Sequence, residues 1–354
     1  MAMNTPLTQL LGCDYPIIQT AMGWVADARL VAATSNAGGF GFLAGAVMSP
    51  EEVEESVLAI KAATDKPFGV NFHMYVNGAS DIVDICCKHG VKAVSYSRSP
   101  SAALVEKLKA AGIVCIPTVG AAKHAVKAVS LGADAVVVQG GEGGGHTGSV
   151  ASTILLPQVL DSVDVPVVAC GGFKDGRGLA AALAMGASGI AMGTRFLMTQ
   201  ESPVPANTKE CYVGANPDQI VVSKKLDGLP QRMIFNPCLK DLESTSQLGM
   251  WWLAVKNGLA FANMTQTSLL DMLKSAWKIS RTGDISMAQT MMAANAPMMI
   301  QEAMVRGHPN QGILPSGQVA GVINDLPDVA TLIQSIVTEA HQSAQRLQHI
   351  MQEQ

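Results

Sequence analysis

The feature of this sequence that most constrains its fold is a series of eight short apolar runs, each followed by a segment with helical spacing. The runs are almost continuously apolar, which is typical of strands buried on both faces of a parallel sheet. Eight successive strand–helix units within about 200 residues predict an α/β protein with a (β/α)8 TIM barrel; an open doubly wound sheet is the alternative. The runs lie at 15–20, 39–45, 68–74, 93–97, 113–119, 135–140, 166–172 and 189–196.

The segments between the runs carry signals for the start and end of helices. Ser49 is followed by Pro50, and Glu52 lies three residues after the serine, a spacing that predicts a capping box. Two alanine-rich segments end at Gly132 and Gly186, and glycine is the usual residue just past a helix. These signals support a regular alternation of strand and helix.

The strand–helix rhythm stops after the eighth run, which divides the chain into three parts. We predict a barrel core at 1–200, an inserted helical cap or substrate subdomain at 201–310, and a return segment at 311–354 whose long helix packs on the barrel. The middle part contains WWLAVKNGLAFANM (251–264) and SMAQTMMAANAPMMIQEAM (286–304). Methionine-rich helices are most often core filler, and the lining of an adaptable apolar pocket is the alternative.

Composition excludes several classes of partner. The 354 residues are 48% hydrophobic and 15% charged, enough apolar material for a large core. A formal net charge of −4 with 5% aromatic residues argues against a nucleic-acid surface. No uncharged apolar run reaches about 18 residues, so we predict no membrane helix. We therefore expect a small-molecule substrate.

The cysteines indicate a reducing compartment. The chain has seven, with scattered spacing and no C-x-x-C, which predicts reduced thiols in a cytoplasmic protein and no zinc site. The first residues lack a basic segment followed by an apolar core, so we predict no signal peptide.

Small residues follow the seventh and eighth runs. Gly171 and Gly172 come after the seventh, and Gly193 and Thr194 after the eighth. In a (β/α)8 barrel the active site lies at the carboxyl ends of the strands, and these two loops commonly bind a phosphate through backbone N–H groups. We predict a phosphate site here; tight turns that require positive φ are the alternative.

Polar side chains mark the same edge of the predicted barrel. Asn71 ends the third run and Gln139 the sixth; a buried amide needs partners, which a flavin ring or a neighbouring strand would supply. The loop GGEGGGHTGS (140–149) follows at once and holds His146. A histidine can transfer protons near neutral pH, so we predict a functional His146 rather than a solvated loop residue.

Other motifs at this edge are weaker. The spacing G-x-G-x-x-G at 143–148 formally matches the dinucleotide fingerprint, but it belongs to the sixth unit and no acidic residue ends the next strand. Cys170 has no base nearby in sequence. Glu142 has two interpretations. It is either an acid or base in the reaction, or a structural partner of a helix dipole or a salt bridge, and we favour the structural role. A sugar-phosphate isomerase or aldolase would need a lysine or paired carboxylates, and Lys174 is a weak candidate.

Six segments together resemble the nitronate monooxygenase (2-nitropropane dioxygenase-like) family of FMN-dependent TIM barrels. They cover about residues 1–200 in order, and they are PIIQTAMGWV, SNAGGFGFLAG, KPFGVNF, GADAVVVQGGEGGGHTG, VPVVACGGFKDGRG and GASGIAMGTRF. The usual Glu-Ala-Gly-Gly-His of the family is Glu-Gly-Gly-Gly-His here. Residues 200–310 resemble the better-known members poorly, so the resemblance says least about the elements that shape the substrate pocket.

The resemblance implies FMN as the cofactor and a set of residues that contact it. The backbone of Ala21, Met22 and Gly23 would lie against the isoalloxazine ring. The flavin ring or ribityl chain would contact Asn71, Gln139 and Gly144. The phosphate would be held by Gly172, Ala191, Met192, Gly193 and Thr194. His146 would be the catalytic acid or base near the flavin N5 atom.

The resemblance leaves two activities open. The first is a nitronate monooxygenase, which oxidises alkyl nitronates with O2. The alternative is a reductase that passes hydride from NADH or NADPH through FMN to a quinone or an enoyl or CoA-type thioester. Composition does not choose between them, because the cofactor performs the chemistry in both. A barrel that binds a ligand without catalysis is a third class of function. We also consider a homodimer as the assembly.

Overall fold

Eight parallel strands close into a barrel in the computed structural model of this chain. The structure describes residues 2–74, 78–97, 101–246, 249–250, 252–258 and 295–352. The barrel strands are β1 (Ile17–Gln19), β2 (Phe40–Leu43), β3 (Gly69–Asn71), β4 (Ala93–Tyr96), β5 (Val114–Val119), β6 (Val136–Gln139), β8 (Val167–Cys170) and β9 (Gly189–Met192). Because β9 pairs with β1, with Ala191 opposite Ile18, the sheet has no free edge. The prediction of a (β/α)8 barrel is confirmed, and the open sheet is excluded.

Helices separate the barrel strands as the capping signals predict. They are α1 (Pro6–Leu11), α2 (Ala28–Asn36), α3 (Pro50–Ala63), α4 (Ala79–His89), α5 (Ala102–Ala110), α6 (Ala122–Ser130), α7 (Ser152–Leu160), α8 (Gly176–Ala184) and α9 (Thr194–Leu197). The capping box of α3 is present: the Glu52 N–H donates to the Ser49 hydroxyl at 3.2 Å, and the Ser49 N–H donates to the Glu52 carboxylate at 2.7 Å.

The inside of the barrel is filled by side chains. Phe40 and Phe42 meet edge to face with ring centroids 5.1 Å apart, among buried residues such as Ile18, Ile116 and Val168. Gly69 leaves room for Phe42, since a Cβ atom there would lie 2.3 Å from its ring. A closely packed interior has no space for a ligand, so a ligand of this barrel binds at an end of the strands.

The chain divides into two compact units. The first contains the barrel and consists of Met1–Gly143, Gly148–Pro203 and Val322–Gln354; the second consists of Gly144–Thr147 and Val204–Gly321. All the barrel strands and α1–α9 belong to the first unit.

The second unit contains a small antiparallel sheet and several helices. Its strands are β7 (Gly145–His146), β10 (Ile220–Ser223) and β11 (Gln231–Ile234), with β11 in the centre. Its helices are α10 (Ala206–Val213), α11 (Pro237–Ser244) and α12 (Asn295–Met304). The two predicted helical segments at 251–264 and 286–304 are described at 252–258 and 295–304, and both of these parts are helical; residues 251, 259–264 and 286–294 lie outside the described residues.

The first unit ends with a long helix, α13 (Val329–Gln352), which packs against α8 and α2. The backbone of α13 lies close to α8 at Gly176, where a Cβ atom would lie 2.2 Å from the Ile336 carbonyl oxygen. An ion pair between a buried guanidinium and a mostly exposed carboxylate also anchors the segment before α13: Arg195 Nη1 donates to Asp325 Oδ1 at 2.6 Å. Within the described residues no helix is long and apolar enough to cross a membrane.

We predict that Gly176→Ala destabilises the barrel unit. The added methyl group would force α13 away from α8, and overpacking of this kind costs about 1–3 kcal/mol. The measurement is the free energy of unfolding in urea. Gly214→Ala is the control, because its Cβ would lie 3.4 Å from its nearest neighbour; a change in stability no larger than that of the control would contradict the prediction.

Candidate active site

The carboxyl ends of the barrel strands bring together most of the residues predicted to bind a cofactor. All of these lie in the first unit. They are Ala21, Met22 and Gly23 after β1, Asn71 at the end of β3, Gln139 at the end of β6, Gly171 and Gly172 after β8, Ala191 and Met192 in β9, and Gly193 and Thr194 at the start of α9. The two remaining residues, Gly144 and His146, lie in the second unit.

The loops after β8 and β9 have the backbone features of an anion site. Gly171 and Gly172 have φ of +104° and +80°, so the turn itself requires glycine. No acceptor within the described ranges takes the backbone N–H of Gly172 or Gly193. Such N–H groups are donors for a phosphate. The tight turn and the phosphate site are therefore compatible interpretations of the same glycines.

Ala191 and Met192 are held within the barrel by burial and by hydrogen bonding. The Met192 carbonyl oxygen already accepts from the Thr20 N–H at 3.1 Å and from its hydroxyl at 3.4 Å, and both side chains are buried. Gly193 follows at the rim, where a Cβ atom would lie 3.1 Å from Thr20 Oγ1 and 3.4 Å from Met22 Sδ. A side chain at 193 would thus fill the space between the ends of β9 and β1.

The turn after β1 has an unusual backbone. The Met22 carbonyl oxygen accepts from the Val25 and Ala26 N–H groups at 3.0 and 2.9 Å. Trp24, inside this turn, has φ of +60° and is the one non-glycine residue with positive φ in the described part of the chain. Strained backbone of this kind is concentrated at ligand sites, and here it adjoins the segment predicted to lie against the flavin.

One of the two amides at the strand ends is hydrogen-bonded to the neighbouring strand, and the other lies against a glycine. Asn71 Nδ2 donates to the Ser95 carbonyl oxygen at 3.1 Å and lies 3.5 Å from its hydroxyl, so the neighbouring strand supplies partners for this amide. The Gln139 side chain lies over Gly143, where a Cβ atom would be 2.6 Å from Nε2. The glycine at 143 is therefore explained by contact with Gln139.

Glu142 caps a helix, in agreement with the interpretation favoured from sequence. Its carboxylate accepts from the Ser152 backbone N–H, with both oxygens within 3.1 Å, and from the Ser152 hydroxyl at 2.9 Å. Ser152 is the first residue of α7, where a negative charge interacts favourably with the helix dipole. Burial raises the pKa of the neighbouring Cys170 thiol to about 12, so Cys170 is not a nucleophile near neutral pH.

The end of the glycine-rich loop forms a strand, which the sequence did not predict. Gly145 and His146 pair antiparallel with β11, with Gln231 opposite His146 and Arg232 opposite Gly145. The dinucleotide fingerprint requires a helix at this point, so that interpretation is excluded. At Gly144 a Cβ atom would lie 2.5 Å from the Gly317 backbone nitrogen, so the second unit itself requires this glycine.

The His146 imidazole is hydrogen-bonded to a carboxylate that sequence reasoning missed. His146 Nε2 lies 2.7 Å from Asp227 Oδ2; the imidazole is 59% exposed and the carboxylate 6%. Asp227 also accepts from Gln231 Nε2 at 2.6 Å and from the Leu229 N–H at 3.0 Å. No local pattern marked Asp227, which lies 81 residues from His146 along the chain.

The pKa of Asp227 is set by two opposing effects. Burial by itself raises the pKa of this carboxyl group. The hydrogen bond and charge of His146, together with the donors from Leu229 and Gln231, outweigh burial and hold the pKa below its ordinary value. Asp227 is therefore an anion near neutral pH.

Known proteins similar to this chain are oxidoreductases. The sequence profile of the family described as nitronate monooxygenase matches residues 4–84 and 74–339. The chain is 48% identical, over 96% of both sequences, to the (3aS,4S,5R,7aS)-5-hydroxy-7a-methyl-1-oxo-octahydro-1H-indene-4-carboxyl-CoA dehydrogenase of Rhodococcus jostii. It is 32% identical to a probable nitronate monooxygenase of Staphylococcus saprophyticus, over 67% of this chain and 80% of that protein.

A solved structure is also similar to this chain. The structure of FabK from Thermotoga maritima superimposes with a TM-score of 0.80 and is 31% identical in sequence. The match covers 98% of this chain and 99% of FabK.

We predict that Glu142→Gln lowers the free energy of unfolding by about 1 kcal/mol, because the charge at the α7 N-terminus is lost. Glu201→Gln is a matched variant, since the Glu201 carboxylate accepts from the Val329 N–H at the start of α13. Urea unfolding of both variants measures the effect. Full stability of Glu142→Gln beside a destabilised Glu201→Gln would rule out the capping role.

Proposed function

This chain belongs to the nitronate monooxygenase family, and on that premise we propose that it is an FMN-dependent oxidoreductase acting on a coenzyme A thioester. The observation that carries the substrate class is the 48% identity, over nearly the full length of both chains, to a carboxyl-CoA dehydrogenase. The probable nitronate monooxygenase is less similar and matches a smaller part of the chain.

The fit of the barrel to FMN supports the cofactor. Glycines follow β8 at 171 and 172 and β9 at 193, and the N–H groups of Gly172 and Gly193 are donors suited to a phosphate. Asn71 and Gln139 place amides on the same rim. These residues would hold the cofactor, and the Ala21–Gly23 turn would carry its ring. When bound, FMN supplies the hydride-transfer chemistry that amino acid side chains lack.

His146 is the residue we propose for proton transfer. Dehydrogenation beside a thioester removes one hydrogen as hydride from the β carbon and one as a proton from the α carbon, which the thioester carbonyl acidifies. The proton needs a base that can accept it near neutral pH, which an imidazole does. In the reverse direction the same imidazole returns the proton to the α carbon.

Nitronate oxidation is the second candidate, supported by the family profile and by the relative from Staphylococcus saprophyticus. Reduction by NADH or NADPH, with a quinone or enoyl thioester as the acceptor, shares the same cofactor and the same proton-transfer residue. The homodimer stays a prediction.

We predict that the purified protein retains FMN and that a cyclic carboxyl-CoA thioester bleaches its visible flavin absorbance under anaerobic conditions. Cyclohexanecarboxyl-CoA is a suitable probe because it carries hydrogens on both the α and β carbons. Ethyl nitronate, NADH and NADPH are mixed with the same holoprotein in parallel. Bleaching by ethyl nitronate and not by the thioester would reject the proposed substrate class, and a protein unable to bind FMN would reject the cofactor.

We predict that His146→Ala retains FMN but loses turnover by a factor of about 10² to 10⁴, the usual contribution of a positioned acid or base. Flavin absorbance measures cofactor retention, and steady-state kinetics with the accepted substrate measure turnover. His341→Ala, which changes an exposed histidine of α13, is the control. Turnover of His146→Ala equal to that of the control would remove the proposed role.

A further inference from the structure

We propose that Asp227 is a positioning residue that keeps the proton of the His146 imidazole on Nε2, so that Nδ1 is the nitrogen that exchanges a proton with the substrate. The assignment of the tautomer is argued from contacts within the second unit. Its meaning for the reaction rests on the function proposed above.

The first step concerns which atom can donate. Asp227 Oδ2 lies 2.7 Å from His146 Nε2, a hydrogen-bond distance with one donor. An ionised carboxylate is an acceptor only, so the hydrogen must lie on Nε2. With Nε2 protonated, a neutral imidazole has Nδ1 as its one proton acceptor. The carboxylate thereby selects the reactive nitrogen.

The second step concerns how firmly the carboxylate is held. Gln231 Nε2 donates to the same oxygen as His146, at 2.6 Å, and the Leu229 N–H donates to the other oxygen at 3.0 Å. Both oxygens are therefore engaged, and the side chain is almost fully buried. A carboxylate with several donors in a buried setting has little freedom to rotate.

The third step concerns the backbone that carries these groups. Gln231 is the cross-strand partner of His146 in the β11–β7 pair. The Thr147 N–H donates to the Pro230 carbonyl oxygen at 3.1 Å, which extends the link from β7 to the segment before β11. One short strand pair thus sets the position of the imidazole, the amide and the carboxylate together.

The chemical consequence concerns the charge that forms during proton transfer. When Nδ1 takes a proton, the imidazolium lies beside a fixed carboxylate, which stabilises the new positive charge. An asparagine at 227 would remove that charge, and its amide group could donate to Nε2. Such a donor favours the opposite tautomer, with the proton on Nδ1, in which the base is blocked.

The tautomer is tested directly by 15N NMR of the FMN-loaded protein labelled at its histidine side chains. His146→Ala identifies the His146 signals among the seven histidines. In the wild-type protein we expect a protonated Nε2 and an unprotonated Nδ1. In Asp227→Asn we expect the proton to shift toward Nδ1, and in Asp227→Glu the wild-type pattern to persist. A wild-type spectrum with the proton on Nδ1 overturns the proposal, whatever the activity of the protein.

The kinetic test separates positioning from a structural role. We expect Asp227→Asn to lower kcat by about 10² or more with little change in KM and with FMN retained, because a general base contributes on that scale. Asp227→Glu should recover part of the loss. Asp218→Asn, which neutralises an exposed carboxyl group in the same unit, is the control. An Asp227→Asn variant with the kcat and spectrum of the control overturns the proposal.

The two proposals fail in distinguishable ways. If the wild-type holoprotein does not react with thioesters but reacts with ethyl nitronate, the substrate class is wrong, and the Asp227 variants are then measured with the nitronate. If His146→Ala retains full turnover, His146 has no part in the reaction, and the kinetic role of Asp227 is rejected with it.

Discussion

Closure of the parallel sheet is the constraint on which the rest of this structure depends. Pairing of β9 with β1 gives hydrogen-bond partners to the last strand edge. The ring of eight strands then encloses an interior that Phe40, Phe42 and their neighbours fill. Because the interior is packed, side chains suited to binding are confined to the strand ends, where Asn71, Gln139 and the paired glycine loops lie. The position of the candidate cofactor site is therefore a consequence of how the barrel closes.

The glycine-rich segment after β6 serves several structural purposes within a few residues. Gly143 makes room for the Gln139 side chain, and Gly144 makes room for the backbone at 316–317. Glu142 between them caps α7, and the segment ends in the strand that carries His146. The absence of side chains here is thus explained largely by contacts within the protein, and a direct contact of Gly144 with a flavin stays a prediction.

Much of the fold could be predicted from sequence, including the strand ends that carry the candidate site. The continuous apolar runs and the capping box at Ser49 arise from local patterns, so the strands and helices could be identified without tertiary information. Asp227 could not be identified in this way, because it is 81 residues from His146 along the chain and follows no local rule. The short strand at 145–146 was missed for a similar reason, since two residues carry no periodic signal and β7 exists through its pairing with β11.

The sequence by itself determined the class of fold and the rim on which the predicted cofactor residues lie, and it pointed to His146 as the candidate for proton transfer, because periodicity and turn chemistry are local properties of the chain. Tertiary structure alone decided that residues 144–147 group with 204–321 and that a buried carboxylate holds that histidine. Those outcomes depend on which distant backbone segments pair and which polar groups are buried together. Contacts of this kind form only when the whole chain has folded.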